Sequence, residues 1–454
     1  MIPAHEIEDA LKVSIRLPLN AEIRNSTYME LLTNTAPWIQ NDVDGLRIPA
    51  VVAGEFARLI LINSKFEISG SPRADYISTV FARFRKNLKH HLRLACAFGG
   101  ILFRPYVCGN QLSIDVTTAD RFFPISYDDD LTFTDSVIYD CTKSGDMYFH
   151  KLERQQYDRQ RNTCTITNHF FKSKSCDALG DPCTAEESGI WAGLSPEVII
   201  RGASSPLFAY FRIPSLRTES EESLRSPLGT SVFSECIELF RSADLHWARI
   251  DWEYEGSELA VDVSSDMLKP VRGVLTLPKR IERLFRGHNI DPVDSGSAMT
   301  TFSPSIRDSS LFNGLDNIFR RIEFNSFLAY GTLSNPQNVD KTAEEVRASK
   351  NRSYSAVCDM QEALEDALRD LLDIMDTFCT LYGLAPSGEY EAVFEWGDGV
   401  LEDTDKEFQR RLQLCTAGKL KVEKLISWYF GCSEEEAADY LPDSSQMKLF
   451  GQGM

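Results

Sequence analysis

Apolar residues recur at helical spacing in several stretches of the chain. The longest runs over 342–382, where Val357, Met360, Leu364, Leu368, Leu371, Met375, Phe378 and Tyr382 alternate steps of three and four. That spacing lays one continuous apolar stripe along a helix. Thr342 and Glu345 form a capping box at its start, and Gly383 stops it. Unbroken, it would rise about 60 Å, which is long for a globular domain and suits an element spanning an assembly. Earlier stretches at 28–40, 49–61 and 80–97 also predict helices. The third places Phe81, Phe84, Leu88 and Leu92 on one face and ends at Gly99-Gly100. Two further helices, 231–255 (Phe233, Ile237, Phe240, Leu245, Trp247, Ile250) and 306–327, bracket about fifty residues. They are expected to form an antiparallel pair with a small module at one end.

Between these helices the period changes to two. Short strands are predicted at 101–107, 111–116, 136–140, 148–153 and 163–171, with turns at Asn110 and at Asp128-Asp129-Asp130. Residues 172–230, rich in Ser, Pro and Gly, suit long loops with short strands. A strand at 259–263 precedes a compact irregular segment, 264–304. Gly331 and Pro336 break the pattern over 328–341. A strand at 390–396 precedes three short helices at 402–417, 421–430 and 433–440, the last with Ser433 and Glu436 as a second capping box. The expected class is α+β.

The chain has 454 residues, enough for two to four modules. Hydrophobic residues make up 43% and charged residues 25%, which excludes an intrinsically disordered class. The opening MIPAHEIEDALK has no basic stretch followed by an apolar block, so no signal peptide is expected, and no stretch is apolar enough to cross a bilayer. The net charge of −19 argues against a protein that grips nucleic acid by neutralising phosphates, though not against one that lets DNA slide past. The basic face of the third helix (Arg83, Arg85, Lys86, Lys89, His90, Arg93) invites a DNA or membrane reading; a solvated face on a core-packed helix is preferred. Eleven cysteines are scattered without a CxxC pair. Cys164, His169, Cys176 and Cys183 are the one set that zinc could use, but structural zinc sites use tighter pairs, and ordinary cysteines are the preferred reading. The Asp128–130 run lacks the Gly and distal Glu of a calcium loop. Nucleotide-binding, zinc-protease, serine-hydrolase and dinucleotide motifs are absent; Gly418-Lys419 is followed by Leu420. No enzyme activity or cofactor is expected.

Several stretches, in order, resemble portal proteins of long-tailed bacteriophages that infect Gram-positive hosts. They are AFGGILFRPYV at 97–107 with IDVTTADRFFPISYDDD at 114–130, FAYFRIP at 208–214 with SPLGTSVF at 226–233, SIRDSSLFNGLDNIFRRIEFNSFLAYGTLS at 305–334, and NVDKTAEEVRASKNRSYSAVCDMQEAL at 338–364. The family's usual glycine-leucine lead into Lys341-Thr342-Ala343 is replaced here by Asn338-Val339-Asp340. The resemblance implies a portal fold: a mixed α/β wing at 1–230, stem helices at 231–255 and 306–327, a small α/β clip at 256–305, a tunnel loop at 328–341, a long wing helix and strand at 342–400, and a helical crown at 401–454. It implies a dodecameric ring at one capsid vertex of the virion, through which double-stranded DNA is packaged and ejected. The implied partners are the terminase large subunit, a head–tail adaptor, and the major capsid and scaffolding proteins, with no membrane. Asn335, Gln337, Asn338 and Lys341 would face the channel. Arg320 and Arg321 would either centre DNA or pair with a neighbouring subunit's acids, and Trp247 would be buried between copies. Lys279, Arg280, Arg283 and Arg286, at helical spacing, would form a docking surface on the clip or, as the slightly preferred reading, the solvated face of a small helix. Another virion structural protein, such as a minor head or adaptor component, is the alternative.

Overall fold

The computed structural model describes the chain except residues 1, 19, 41–42, 216–222, 259, 265–269, 272–273, 276–284, 289–298, 303–304, 336–342, 398–403, 431–432, 434–436, 438–439 and 441–454. For the strands between 260 and 302 apart from residue 301, and for 343–347, 349 and 404–407, only the course of the backbone is described. The class is mixed α+β, with sheets built chiefly of antiparallel pairs. The chain divides into two compact units, Met1–Trp396 and Gly397–Met454.

The first unit opens with helices α1 (Ala4–Leu11), α2 (Ala21–Thr33) and α3 (Ile48–Leu61), then strand β1 (Lys65–Ser69) and the long α4 (Pro72–Phe98). Ser71 caps α4 by accepting the Ala74 N–H, and Pro72 occupies the first turn, where a missing N–H costs nothing. Ala74, Ile77, Phe81, Phe84, Leu88, Leu92 and Ala95 form its buried face. Gly99 ends the helix at φ +86°, donating its N–H to the Ala95 carbonyl. A Cβ there would meet the Thr230 backbone at 2.6 Å, so the position needs glycine for room as well as for conformation. The helix expected at 28–40 lies earlier in the chain. Asn34, at φ +63°, stops α2, and Ala36, Trp38 and Ile39, whose apolar spacing suggested a continuation, lie in the turns that follow.

Strands β2 (Gly100–Cys108), β3 (Gln111–Thr118), β4 (Phe122–Tyr127), β5 (Phe133–Ser144), β6 (Met147–Asp158), β7 (Thr163–Ser173) and β8 (Asp181–Pro182) come next. After them lie the single turn α5 (Ala185–Ser188), β9 (Glu197–Arg201) and β10 (Ala209–Arg212). They form a small sheet in the order β10-β2-β3 and a larger one in the order β4-β5-β6-β7-β8, with β9 also on β7. One face of the larger sheet (Phe123, Val137, Tyr139, Leu152) packs on Ile2 and Ile7 of the N-terminal segment. On its other face, Ile138 joins Leu102, Phe122, Phe133, Phe208 and Leu228 in a core shared with the smaller sheet. Beside that core the sheets are tied by charge. The buried Arg104 of β2 reaches Glu153 (3.3 Å), Asp140 (3.1 Å) and Asp115, and Lys151 reaches Asp140 and Glu153, both at 3.0 Å.

Helix α6 (Ile237–Gly256) follows. The segment between it and the next helix contributes β11 (Ala260–Ser264), β12 (Pro270–Val271), β13 (Val274–Leu275), β14 (Phe285–His288) and β15 (Met299–Phe302). Strand β11 pairs parallel with β14 and antiparallel with β15. Then come α7 (Asp308–Asn325), the 40-residue α8 (Ala343–Tyr382) and β16 (Glu391–Glu395), which pairs antiparallel with β1. Along α8, the predicted stripe from Val357 to Phe378 is buried, whereas Tyr382 is exposed. Its end is held from α4. Buried Arg73 donates to the carbonyls of Ala385 and Pro386, each at 2.8 Å, and pairs with Asp376 at 2.9 Å.

In the second unit, α9 (Thr404–Thr416) and α10 (Val422–Phe430) pack through Phe408 against Tyr429 (5.2 Å between centroids) and Arg411 over Trp428 (4.4 Å). The helix expected at 433–440 lies largely outside the described residues.

Candidate functional site

The two predicted helices at the middle of the chain do form an antiparallel hairpin. Cys236 lies opposite Ile322, His246 donates to the Leu311 carbonyl at 2.9 Å, and Glu253 meets Arg307 at 2.6 Å. The sum of the paired numbers stays nearly constant, as an antiparallel crossing requires. Phe240, Ala243 and Ile250 of α6 and Leu315 and Ile322 of α7 form the buried seam. Gly314 allows the close approach: a Cβ there would sit 2.9 Å from His246 Nε2. Arg307 holds the Glu253 carboxyl below its ordinary range through paired hydrogen bonds. The first helix starts at Ile237 rather than 231, because residues 231–236 turn onto α4: the Ser231 hydroxyl and the Val232 N–H both bond the Cys96 carbonyl.

Away from the seam the hairpin exposes large aromatic side chains among charged and polar ones. Trp252 is 68% exposed, and Tyr254, Phe312, Phe324 and Phe327 are each between 42% and 53% exposed. Trp247, singled out from the sequence for contacts between copies, packs in part within the hairpin, edge-on to Phe312 at 6.4 Å. Trp252 is the more exposed of the two.

The chain leaves α7 through a tightly held turn. Leu328 donates its N–H to the Glu323 carbonyl at 2.9 Å, and Phe327 takes φ +61°, a conformation seldom adopted by a bulky side chain. The Glu323 side chain is fully buried. Its Oε1 accepts the N–H groups of Gly331 (3.1 Å), Leu333 (2.6 Å) and Ser334 (2.8 Å), and its Oε2 accepts the Ser334 hydroxyl (2.8 Å). Asp316 continues the anchoring, accepting the Asn335 N–H at 2.7 Å while pairing with Arg320 at 2.8 Å. On the long helix, the Arg352 guanidinium lies over Phe324 (4.2 Å) and Phe327 (5.6 Å). One carboxylate, one ion pair and one cation–π stack thus organise the path from hairpin to long helix.

The expected site residues divide accordingly. Asn335 has an exposed side chain on a pinned backbone, Arg320 pairs within its own helix, and Arg321 is exposed. Gln337, Asn338 and Lys341 lie outside the described residues, as do Thr342, Lys279, Arg280 and Arg283. Arg286 lies on β14, an extended strand, so the helical spacing supposed for that basic group does not hold at its last member. Alternation along β7 puts Cys164 and His169 on opposite faces of one strand, where they cannot share an ion. Among the described residues, no three His, Cys, Asp or Glu side chains are grouped to hold a metal. The Asp128–130 run is a turn in which Asp128 accepts the N–H groups of Asp130 and Thr132. The basic face of α4 is exposed, with Arg83, Arg85 and Arg93 each donating to a carbonyl of a neighbouring element. Sequence reasoning missed Glu323, Arg73 and the Arg104 network. A glutamate in the last turn of a helix, where the dipole disfavours negative charge, was the one available signal for the first. No family model matches the chain, and no curated protein matches it.

Proposed function

We propose that this chain is a ring-forming portal subunit of the tailed-phage type, whose assembled channel passes double-stranded DNA, and that it is not an enzyme. The observation that carries this reading is the antiparallel hairpin with a strand-built module between its helices, followed by a clamped turn and a 40-residue helix. Trp252 and Tyr254 stand exposed on the hairpin among charged side chains, and a closed ring of copies would cover them. The portal fold supplies roles for the parts: hairpin as stem, strand module as clip, turn and following residues as tunnel loop, and the sheets with α4 and α8 as wing. The net charge of −19, repeated around a ring, suits a bore that DNA slides through without being gripped. In this reading, the terminase large subunit and later a head–tail adaptor dock at the clip, and capsid and scaffolding proteins surround the wing. The test is light scattering after size exclusion, joined to negative-stain imaging. Rings with a central hole are expected, and Trp252→Asp should lower their yield with the circular dichroism unchanged. A purified chain that stays monomeric at every concentration would overturn the reading in favour of another virion component, and rings indifferent to Trp252→Asp would remove Trp252 from the contact between copies.

A further inference from the structure

A second surface of the first unit is built to receive something and stands apart from the hairpin. Among the described residues, β9 pairs with β7 alone, so its outer edge is open. Asn168 donates to the Pro196 carbonyl and Gly202 to the Asn162 carbonyl. The register between these bonds turns the N–H and C=O groups of Glu197, Ile199 and Arg201 away from β7. The strand and the segment before it are also apolar and exposed: Ile190 is 65% exposed and Ile199 57%. Proteins normally blunt such an edge with charge, proline or a covering element.

Beside this edge lies a cleft of about 940 Å³. Val198 and Ile200 form one wall, and Trp191 and Tyr382 contribute aromatic faces. Its floor is the ionic network, in which three carboxylates (Asp115, Asp140, Glu153) face two cations (Arg104, Lys151) already engaged by them. Two polar atoms there have no hydrogen-bond partner, Asn168 Oδ1 and Arg104 Nε. Both atoms are shut off from solvent, so what the floor offers an incoming group is its excess negative charge, most accessible at the half-exposed Asp115.

We propose that β9 and this cleft bind an extended basic segment of a partner polypeptide, added to the sheet as a strand. The backbone of such a segment would bond Glu197, Ile199 and Arg201. Alternate side chains would enter the cleft, a lysine or arginine meeting the half-exposed Asp115 across the aromatic faces, and apolar neighbours covering Ile190 and Val198.

The experiment uses the full chain and a labelled ten-residue peptide alternating lysine with valine, followed by fluorescence anisotropy and by hydrogen exchange. Saturable binding is expected, with slower exchange at the Ile199 amide. An alternating glutamate–valine peptide and a peptide with a central proline should both bind at least about tenfold more weakly. Ile199→Pro removes an outward N–H while sparing the bonds to β7, and it should weaken binding about tenfold or more. Asp115→Asn, at a half-exposed position, should do the same while keeping strand protection at Ile199. Equal affinity for the acidic peptide, full affinity in Ile199→Pro, or absence of binding would overturn the proposal. So would an edge already protected in the free protein in a manner that dilution releases, since a second copy would then be the occupant.

Discussion

Glu323→Ala should detach the turn that follows the hairpin while leaving the hairpin folded. The wild-type carboxylate is fully buried and accepts four hydrogen bonds, three from backbone N–H groups and one from a hydroxyl. Hydrogen bonds to a charged acceptor contribute about 1.5–3 kcal/mol each, but four that share one carboxylate do not add. Glu323→Ala removes the charge itself, and each amide or hydroxyl then left buried without an acceptor costs about 1–3 kcal/mol. Much of this loss should be local, because Leu328 bonds the backbone carbonyl of residue 323 and Asn335 bonds Asp316, and neither contact needs the Glu323 side chain. A local loss of about 4 kcal/mol corresponds to roughly a thousandfold faster exchange at the amides of Gly331, Leu333 and Ser334. Leu328 and Asn335 should keep most of their protection. Glu323→Gln retains an acceptor for the three amides and turns an NH₂ toward Ser334 Oγ, so its cost should be nearer 1–2 kcal/mol. Hydrogen exchange read by mass spectrometry or NMR, with far-UV circular dichroism as the control, measures this. Unchanged protection at the three amides in Glu323→Ala would refute the carboxylate as the anchor.

The charge network between the two sheets yields two more expectations, both read by urea unfolding. Arg104→Ala should destabilise by about 3–5 kcal/mol because three carboxylates lose their shared partner, and Asp140→Asn in the same chain should recover part of that loss through non-additivity. The network should also set an acid limit. Burial pushes the Glu153 and Asp140 carboxyls up, but Arg104 and Lys151 outweigh it and hold both below their ordinary range. A carboxyl with a depressed folded pKa contributes stability above its unfolded value of about 4 and loses it as pH falls through the folded value. Stability should therefore fall below roughly pH 4, less steeply in the doubly neutral Asp140→Asn, Glu153→Gln chain; equal slopes would dismiss the network as the cause.

How legible these features were depends on where the partner lies in the chain. The stripe on α8 could be read directly, since each of Val357 to Phe378 is decided by its neighbours three and four residues away, and all are buried. The strands and the antiparallel hairpin followed from the same local periodicities. Helix starts were less visible: Val232 and Phe233 look like the first turn of α6, yet they pack as a turn against α4, far away in sequence. Charged positions were the least legible. Lys151, Glu153 and Gln155 alternate along β6 as a solvated face would, and only Arg104, some fifty residues earlier, turns that face into an interior. Glu323 looked like an ordinary helical glutamate because its partners are backbone amides, which carry no residue-type signature.

The Arg73 clamp gives the long helix a mechanical character. By holding the carbonyls just past its C-terminus and the side chain of Asp376, Arg73 fixes one end of a 40-residue rod to α4. A helix about 60 Å long that is clamped at its C-terminus and packed from Val357 onward moves as one body, and a tilt of the whole by about 1° carries its far end by about 1 Å. The far end is where the chain arrives from the turn held by Glu323. Small rearrangements of the sheets and α4 around Arg73 would thus arrive there enlarged, as displacements comparable to the length of a bond.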